Sequence, residues 1–184
     1  MKKLFCASLL FISCWSFSQE KIQETRLTDE VFRINLINPG VEYEFPTSDF
    51  STLSTGLGVG YSGEIDELTV GKKTGFIYII APFLEVQHKL FYNLNKRKRK
   101  DKSIVNNSGN FITAGVQAKG PSIADNVERT SDYDFSLGLA WGIQRSYKEK
   151  YHLLFHIGPK YFFDTKGNGG FFPILIQLNL GFDL

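Results

Sequence analysis

The chain has 184 residues, 42% of them hydrophobic, 22% charged and 15% aromatic, with 17 Gly, 17 Phe, two Cys and one Met. One domain with a sizeable core fits that length; two Cys exclude a disulfide-rich scaffold, and a formal charge of +2 gives no global case for nucleic-acid binding. No uninterrupted apolar run reaches about 18 residues, which excludes a polytopic helical membrane protein, and many aromatics and glycines with little Met favour β architecture.

Residues 1–18 read as a secretory leader. Lys2 and Lys3 precede an apolar run over 4–14, and Ser16-Phe17-Ser18 places small residues where a signal peptidase reads, so cleavage leaves Gln19 first. The run is too short to span a membrane as a helix. Cys14 offers a competing lipoprotein reading, with Phe11 standing where a Leu-like residue is expected. Cleavage after Ser18 removes both Cys and two lysines, leaving a mature chain of balanced charge and no thiol chemistry. Residues 19–30 form a polar lead-in, and 31–184 form a single domain without a low-complexity linker.

From residue 31 onward the chain reads with a period of two. The first segment sets Phe32, Ile34 and Leu36 on one face before Asn38-Pro39-Gly40, and Val41, Tyr43 and Phe45 after it. A bulge at Pro39-Gly40 would absorb that parity switch and leave Arg33, Asn35, Glu42 and Glu44 on the other face. Residues 53–61 set Leu53, Leu57, Val59 and Tyr61 against Ser54, Gly56, Gly58 and Gly60. The run 76–92 begins apolar on both faces and resolves into Leu84, Val86, Leu90 and Tyr92 against Glu85, Gln87 and Lys89. After the basic stretch 95–102, residues 111–119 set Ile112, Ala114 and Val116 opposite Thr113, Gly115, Gln117 and Lys119.

Residues 133–144 oppose Phe135, Leu137, Leu139, Trp141 and Ile143 to Ser136, Gly138, Ala140, Gly142 and Gln144. Residues 151–164 oppose Tyr151, Leu153, Phe155, Ile157, Tyr161 and Phe163 to His152, His156, Gly158 and Lys160, with Leu154 and Phe162 interrupting the polar face. The closing segment opposes Phe172, Ile174, Ile176, Leu178, Leu180, Phe182 and Leu184 to Gln177, Asn179, Gly181 and Asp183.

Seven segments are visible, and single-chain barrels have even strand numbers. The expected architecture is therefore all-β: a single antiparallel up-and-down transmembrane β-barrel of eight strands, the eighth hidden in the broken first segment or in 76–92. A soluble lipocalin-like barrel would hydrate its outward face with Lys, Glu and Thr. Here the non-apolar face is largely Gly, Ser, Ala and Gln, which suits a crowded narrow interior. The aliphatic face suits lipid, with Tyr43, Phe45, Tyr61, Phe91, Tyr92, Tyr133, Tyr147, Tyr151, Phe162 and Phe163 near segment ends as girdles require.

An eight-stranded interior is filled by side chains. Charges there must pair, because a lone buried ion costs several kcal/mol, so Arg33, Lys89, Lys119 and Lys160 against Glu42, Glu44 and Glu85 form the expected lumen network. It reads as a plug, or alternatively as a selective channel. His152 and His156 share a strand face at a separation of roughly 13 Å, too far for a shared metal, and His88 has no paired ligand nearby. No His has a Ser two residues away on its strand face, so a nucleophilic enzyme is not expected, and no cofactor is implied. Lys96, Arg97, Lys98, Arg99, Lys100 and Lys102 form a candidate contact for an anionic surface such as lipopolysaccharide phosphates; the alternative is a solvated turn.

The strings INLINPGVEYEF from Ile34, FYNLNKRKRK from Phe91, NNSGNF from Asn106 and WGIQRSY from Trp141 together resemble the small outer-membrane β-barrel proteins of Bacteroidota, over about residues 31–184. The ending LNLGFDL resembles the signal such proteins present to the outer-membrane assembly machinery, with Leu184 where an aromatic is more usual and Phe182 on the same face. The resemblance implies an integral outer-membrane protein whose partners are outer-membrane lipid, lipopolysaccharide and that machinery. Its expected role is structural or surface-interacting, with a small porin or transporter and a lipid-modifying enzyme as alternatives, and a soluble secreted barrel as the structural rival.

Overall fold

The alternation of large and small side chains builds nine antiparallel strands among the residues that the computed structural model describes, which are 26–62, 79–125 and 131–184. The leader, residues 19–25 of the lead-in and the connections 63–78 and 126–130 lie outside the described residues. The strands are β1 (Val31–Asn35), β2 (Gly40–Ser48), β3 (Ser51–Ser62), β4 (Ile79–Phe91), β5 (Gly109–Lys119), β6 (Ala124–Asp125), β7 (Asp134–Tyr147), β8 (Tyr151–Asp164) and β9 (Gly169–Asp183). Eight of them close a ring in the order β1-β2-β3-β4-β5-β7-β8-β9, with β9 returning to β1; the two-residue β6 only extends the edge of β4. A ring has no open edge, so its ladder groups are paired all the way round.

The eighth strand comes from the broken first segment. The parity switch at Asn38-Pro39-Gly40 is a chain reversal rather than a bulge: β1 and β2 pair antiparallel from Val31 opposite Glu44 to Asn35 opposite Gly40. A turn resets the pleat as a bulge does, which is why the two readings share one sequence signature. The run over 76–92 contributes one described strand, β4.

A genuine bulge sits in β9. Between the pairs Gly158 opposite Leu175 and Lys160 opposite Phe172, β9 advances three residues while β8 advances two. Pro173 lies inside this extra step, where a missing N–H is tolerated. The extra residue corrects the expected facing of the closing segment: Phe171 is exposed, while Phe172 turns inward and stacks on Phe162 with ring centroids 5.3 Å apart. Gly170 leaves room for that Phe162 ring.

The faces are polarised as the alternation implies. Leu57, Leu84, Ile112, Val116, Leu137, Leu139, Ile174, Ile176, Leu178 and Leu180 are exposed on the outside, while Arg33, Glu44, Thr52, Lys89 and Gln144 are buried inside. Two of the expected girdle positions are corrected. Phe91 is buried, its ring 5.5 Å from that of Phe111, and Phe162 faces the lumen with Phe172. Rings that stay outside gather at the two rims: Tyr43, Tyr92, Tyr147 and Tyr151 towards the end where both termini emerge, and Tyr133, Phe135, Tyr161 and Phe163 towards the other. No helix among the described residues is long and apolar enough to cross a membrane, which says nothing of crossing by strands.

Candidate functional site

The period-two face that carries the charges turns into the lumen, and there the expected seven-residue network divides. Arg33 on β1, Glu42 and Glu44 on β2 and Lys89 on β4 converge in the half of the barrel nearest the termini. The Arg33 Nη1 group contacts Glu44 Oε2 closely and lies 3.4 Å from Glu42 Oε1. Lys89 Nζ donates to Glu42 Oε1 at 2.8 Å, to Glu44 Oε2 at 3.2 Å and to Gln144 Oε1 at 3.1 Å. Each carboxylate thus meets both cations, the condition under which several buried charges are tolerated in a small volume.

Glu85, Lys119 and Lys160 lie in the other half. Lys160 Nζ donates to Gln117 Oε1 at 3.1 Å, and Glu85, Gln117 and Lys160 line a cavity of about 40 Å³ bounded by Gly115, Gly138 and Gly158. That is room for a few waters. Lys119 stands opposite Asp134 at the β5–β7 mouth. The expected ladder is therefore two separate groups rather than one.

The charge cluster also recruits residues outside the expected set. Asp183 Oδ1 accepts from Arg33 Nε at 2.9 Å, Thr52 Oγ1 donates to Glu44 Oε1 at 2.5 Å, and Gln144 Nε2 donates to Glu44 Oε2 at 3.1 Å. Asp183 and Gln144 already stood on the polar parity of their segments, so inward facing was their detectable signal. The Asn106 carbonyl, which accepts from Arg33 Nη2 at 3.1 Å, had none: it belongs to a loop residue at φ 52°.

Beside the cluster, His152 Nδ1 lies 3.6 Å from Asp183 Oδ1. Both ring nitrogens of His152, Nδ1 of His156, Oδ1 of Asn179 and Oδ2 of Asp183 are buried without a hydrogen-bond partner among the described residues. Ser146 stands across from His152 in register, yet neither His152 nitrogen bonds it. Among the described residues no group of three metal-ligating side chains forms. His88 points outward, with Nε2 at 3.4 Å from Thr47 Oγ1.

The end nearest the termini is closed by chain the sequence reading treated as connection and lead-in. Residues 92–108 fold into helix α1 (Leu94–Lys98) and a single turn at Val105–Asn107. Leu94 is fully buried against Phe91, Phe111 and Leu154, with Leu27 and Ile104 packed at the edge. Asn107 clamps the lead-in: its Oδ1 accepts the Asp29 N–H at 2.6 Å and its Nδ2 donates to the Asp29 carbonyl at 2.8 Å. Thr28 Oγ1 donates to the Ser48 carbonyl at 2.7 Å.

The basic stretch rides on the outside of this cap. Lys96, Lys98, Arg99, Lys100 and Lys102 are exposed, whereas Arg97 folds back to donate from Nε and Nη2 to the Ser103 carbonyl at 3.1 and 2.7 Å. Arg97 thus serves the loop that displays the others. In chemical terms the lumen holds paired fixed charges under a packed apolar lid, an arrangement that fills and braces. Searches of family models, curated proteins and solved structures find no match to this chain.

Proposed function

We propose that this protein is an exported, integral outer-membrane β-barrel with a filled lumen, whose role is structural or surface-interacting rather than catalytic. The observation that carries the reading is the inversion of polarity: bare aliphatic side chains circle the outside between two aromatic rims, while the fixed charges lie within. Leu139 is 60% exposed and Arg33 0%. In water so much contiguous exposed apolar surface would drive association; facing lipid, the same surface is the stabilising one. Strands of 11 to 15 residues in β3, β4, β5, β7, β8 and β9 are long enough for a tilted crossing of the hydrocarbon layer. The leader signature and the resemblance to small Bacteroidota barrels support the same reading, as does the period-two pattern through Phe182 near the chain end.

The filled lumen favours a plug over a porin, because Arg33, Lys89, Glu42 and Glu44 bridge β1, β2 and β4 across the bore under the Leu94 lid. Four measurements test this. Expressed with its leader, the protein should sediment with outer membranes, resist carbonate extraction and begin at Gln19 by mass spectrometry. Purified into planar bilayers it should pass no stepwise current. Recovery in the soluble periplasmic fraction without detergent would overturn the membrane reading, and discrete conductance would overturn the plug.

A further inference from the structure

Resting on the membrane reading just given, we propose that the cap over residues 92–108 is a binding platform for anionic phospholipid headgroups of the leaflet on the termini side, not for lipopolysaccharide. Three observations lead there. First, eight strands bring both termini to one end, and the β4–β5 connection opens at that same end, so the basic stretch lies beside the termini. Outer-membrane barrels carry their longer loops outside. The cap, with 17 residues, is the one long connection on the termini side, beside the turns 49–50 and 148–150; the opposite end has two, of 16 residues between Ser62 and Ile79 and of 14 between Lys119 and Asp134, and that balance turns the termini and the cap towards the inner, phospholipid leaflet.

Second, the charge is presented rather than trailing. Leu94 is sunk in the apolar cluster and Arg97 is spent on the Ser103 carbonyl, which fixes the backbone under Lys96, Lys98, Arg99, Lys100 and Lys102. Lys148 and Lys150 of the neighbouring β7–β8 turn are exposed at the same rim. The acids exposed at this end, Asp29, Glu30, Asp49, Asp101 and Glu149, are outnumbered by these seven cations; Asp29 Oδ2 also accepts the Asn106 N–H at 2.9 Å and Glu30 accepts from the Tyr43 hydroxyl.

Third, the platform stands directly above an aromatic rim. The Tyr92 hydroxyl, next to the cap, accepts from Trp141 Nε1 at 2.6 Å, and Tyr147 and Tyr151 flank it, all on the outer surface. Such rings mark headgroup level, so the cations stand at the height of lipid phosphates, where each basic side chain adds attraction that salt screens. The opposite mouth has the contrary balance among the described residues, with Asp125, Asp132, Asp134 and Asp164 against Lys119 and Lys166, a poor match for lipopolysaccharide phosphates.

The test is lipid selectivity of the full chain in phosphatidylcholine vesicles, read by electron paramagnetic resonance of spin-labelled lipids restricted at the barrel surface. Labelled phosphatidylglycerol should associate at least about threefold more strongly than labelled phosphatidylcholine, and high salt should erase the difference. The variant K96Q/K98Q/R99Q/K100Q/K102Q, which spares Arg97, should lose the preference; K98Q/K100Q, the milder change, should reduce it while leaving the fold intact. Equal association of the two lipids, or a preference that survives in both variants, overturns the inference while leaving the membrane reading standing. Displacement of the labelled phosphatidylglycerol by lipid A more readily than by unlabelled phosphatidylglycerol overturns the choice of leaflet. Absence of any restricted lipid signal defeats the membrane reading itself, and this inference with it.

Discussion

Arg33 and Asp183, 150 residues apart in sequence, meet across the seam that closes the ring, with Arg33 Nε donating to Asp183 Oδ1 at 2.9 Å. The seam is short: β1 and β9 register over only Arg33–Asp183, Ile34–Phe182 and Asn35–Gly181, extended by Leu36 N–H to the Leu180 carbonyl and Leu184 N–H to that of Phe32. The first and last strands are thereby held by a charge pair as well as a ladder, and that pair is also a member of the lumen cluster.

Arg33→Leu should consequently be among the most damaging single changes in the chain. It strands Glu42, Glu44 and Asp183 with Lys89 as the remaining fixed cation of the cluster, and removing one partner from a buried pair costs about 3 to 5 kcal/mol. The urea midpoint of the folded barrel, followed by its heat-modifiable gel mobility, should fall accordingly. Adding Glu44→Leu should recover part of the loss, since it removes an uncompensated buried charge; a double variant no better than the single would mean that Glu44 is not bound to Arg33 through charge.

The outward face is tested on adjacent residues of β7. Leu139→Arg places a charge on the exposed aliphatic surface, which at mid-depth in a bilayer costs about 2 to 4 kcal/mol, so membrane recovery should drop sharply. Ala140→Ser on the lumen side is the proper comparison and should insert normally. Gly138 is not: a Cβ there would lie 2.7 Å from the Pro159 carbonyl oxygen, so even a small side chain would push β7 and β8 apart. Equal loss from Leu139→Arg and Ala140→Ser would contradict the assignment of faces.

Gly142 is required by a neighbour. Any Cβ at that position would run into the Phe111 ring, which packs inward with Phe91 and Leu94. Gly142→Val should destabilise the barrel by about 1 to 3 kcal/mol through overpacking, measured as a lowered urea midpoint. Phe111→Leu in the same chain should relieve the clash, so that the pair is less damaging than additivity predicts.

Leu94→Ala addresses the cap alone. Truncating a fully buried Leu costs about 2 to 5 kcal/mol where the structure cannot collapse around it, and here the loss falls on the packing that holds residues 92–108 down. Trypsin should cut at 96–102 markedly faster than in the unmodified protein. The strands, joined by their own ladder, should remain resistant; loss of barrel and cap together would show that the cap is integral to the ring.

The pattern of alternate residues determined a good deal by itself. A strand has only two faces, so reading every second residue from Leu137 to Ile143, or from Glu85 to Lys89, already gives the side of the wall on which each lies. The total of eight strands followed from the parity of the count, and the membership of Arg33, Glu42, Glu44 and Lys89 in one interior followed from their facing. Alternation carries no information about height along the bore, however. Glu85 stands about 13 Å from Lys89 simply by its place on the same strand, but Lys160 belongs to another strand, and only the stagger of paired strands put it in the other half.

Nor does alternation distinguish interruptions that reset the pleat. Asn38-Pro39-Gly40 is a turn and the step at Pro173 is a bulge, and the register with the partner strand alone decided which was which, reversing the expected facing of Phe172. Phe91 and Phe162 stand near segment ends as girdle residues do, but a nearby glycine and a ring on the adjacent strand, Gly109 and Phe111 for Phe91 and Gly170 and Phe172 for Phe162, draw them inside. The basic stretch was legible as a charge run from the outset. That it belongs beside the termini, on a platform pinned by Leu94 and Asn107, depends on the reversal between β1 and β2, because the number of antiparallel reversals fixes the end of the molecule to which each connection belongs.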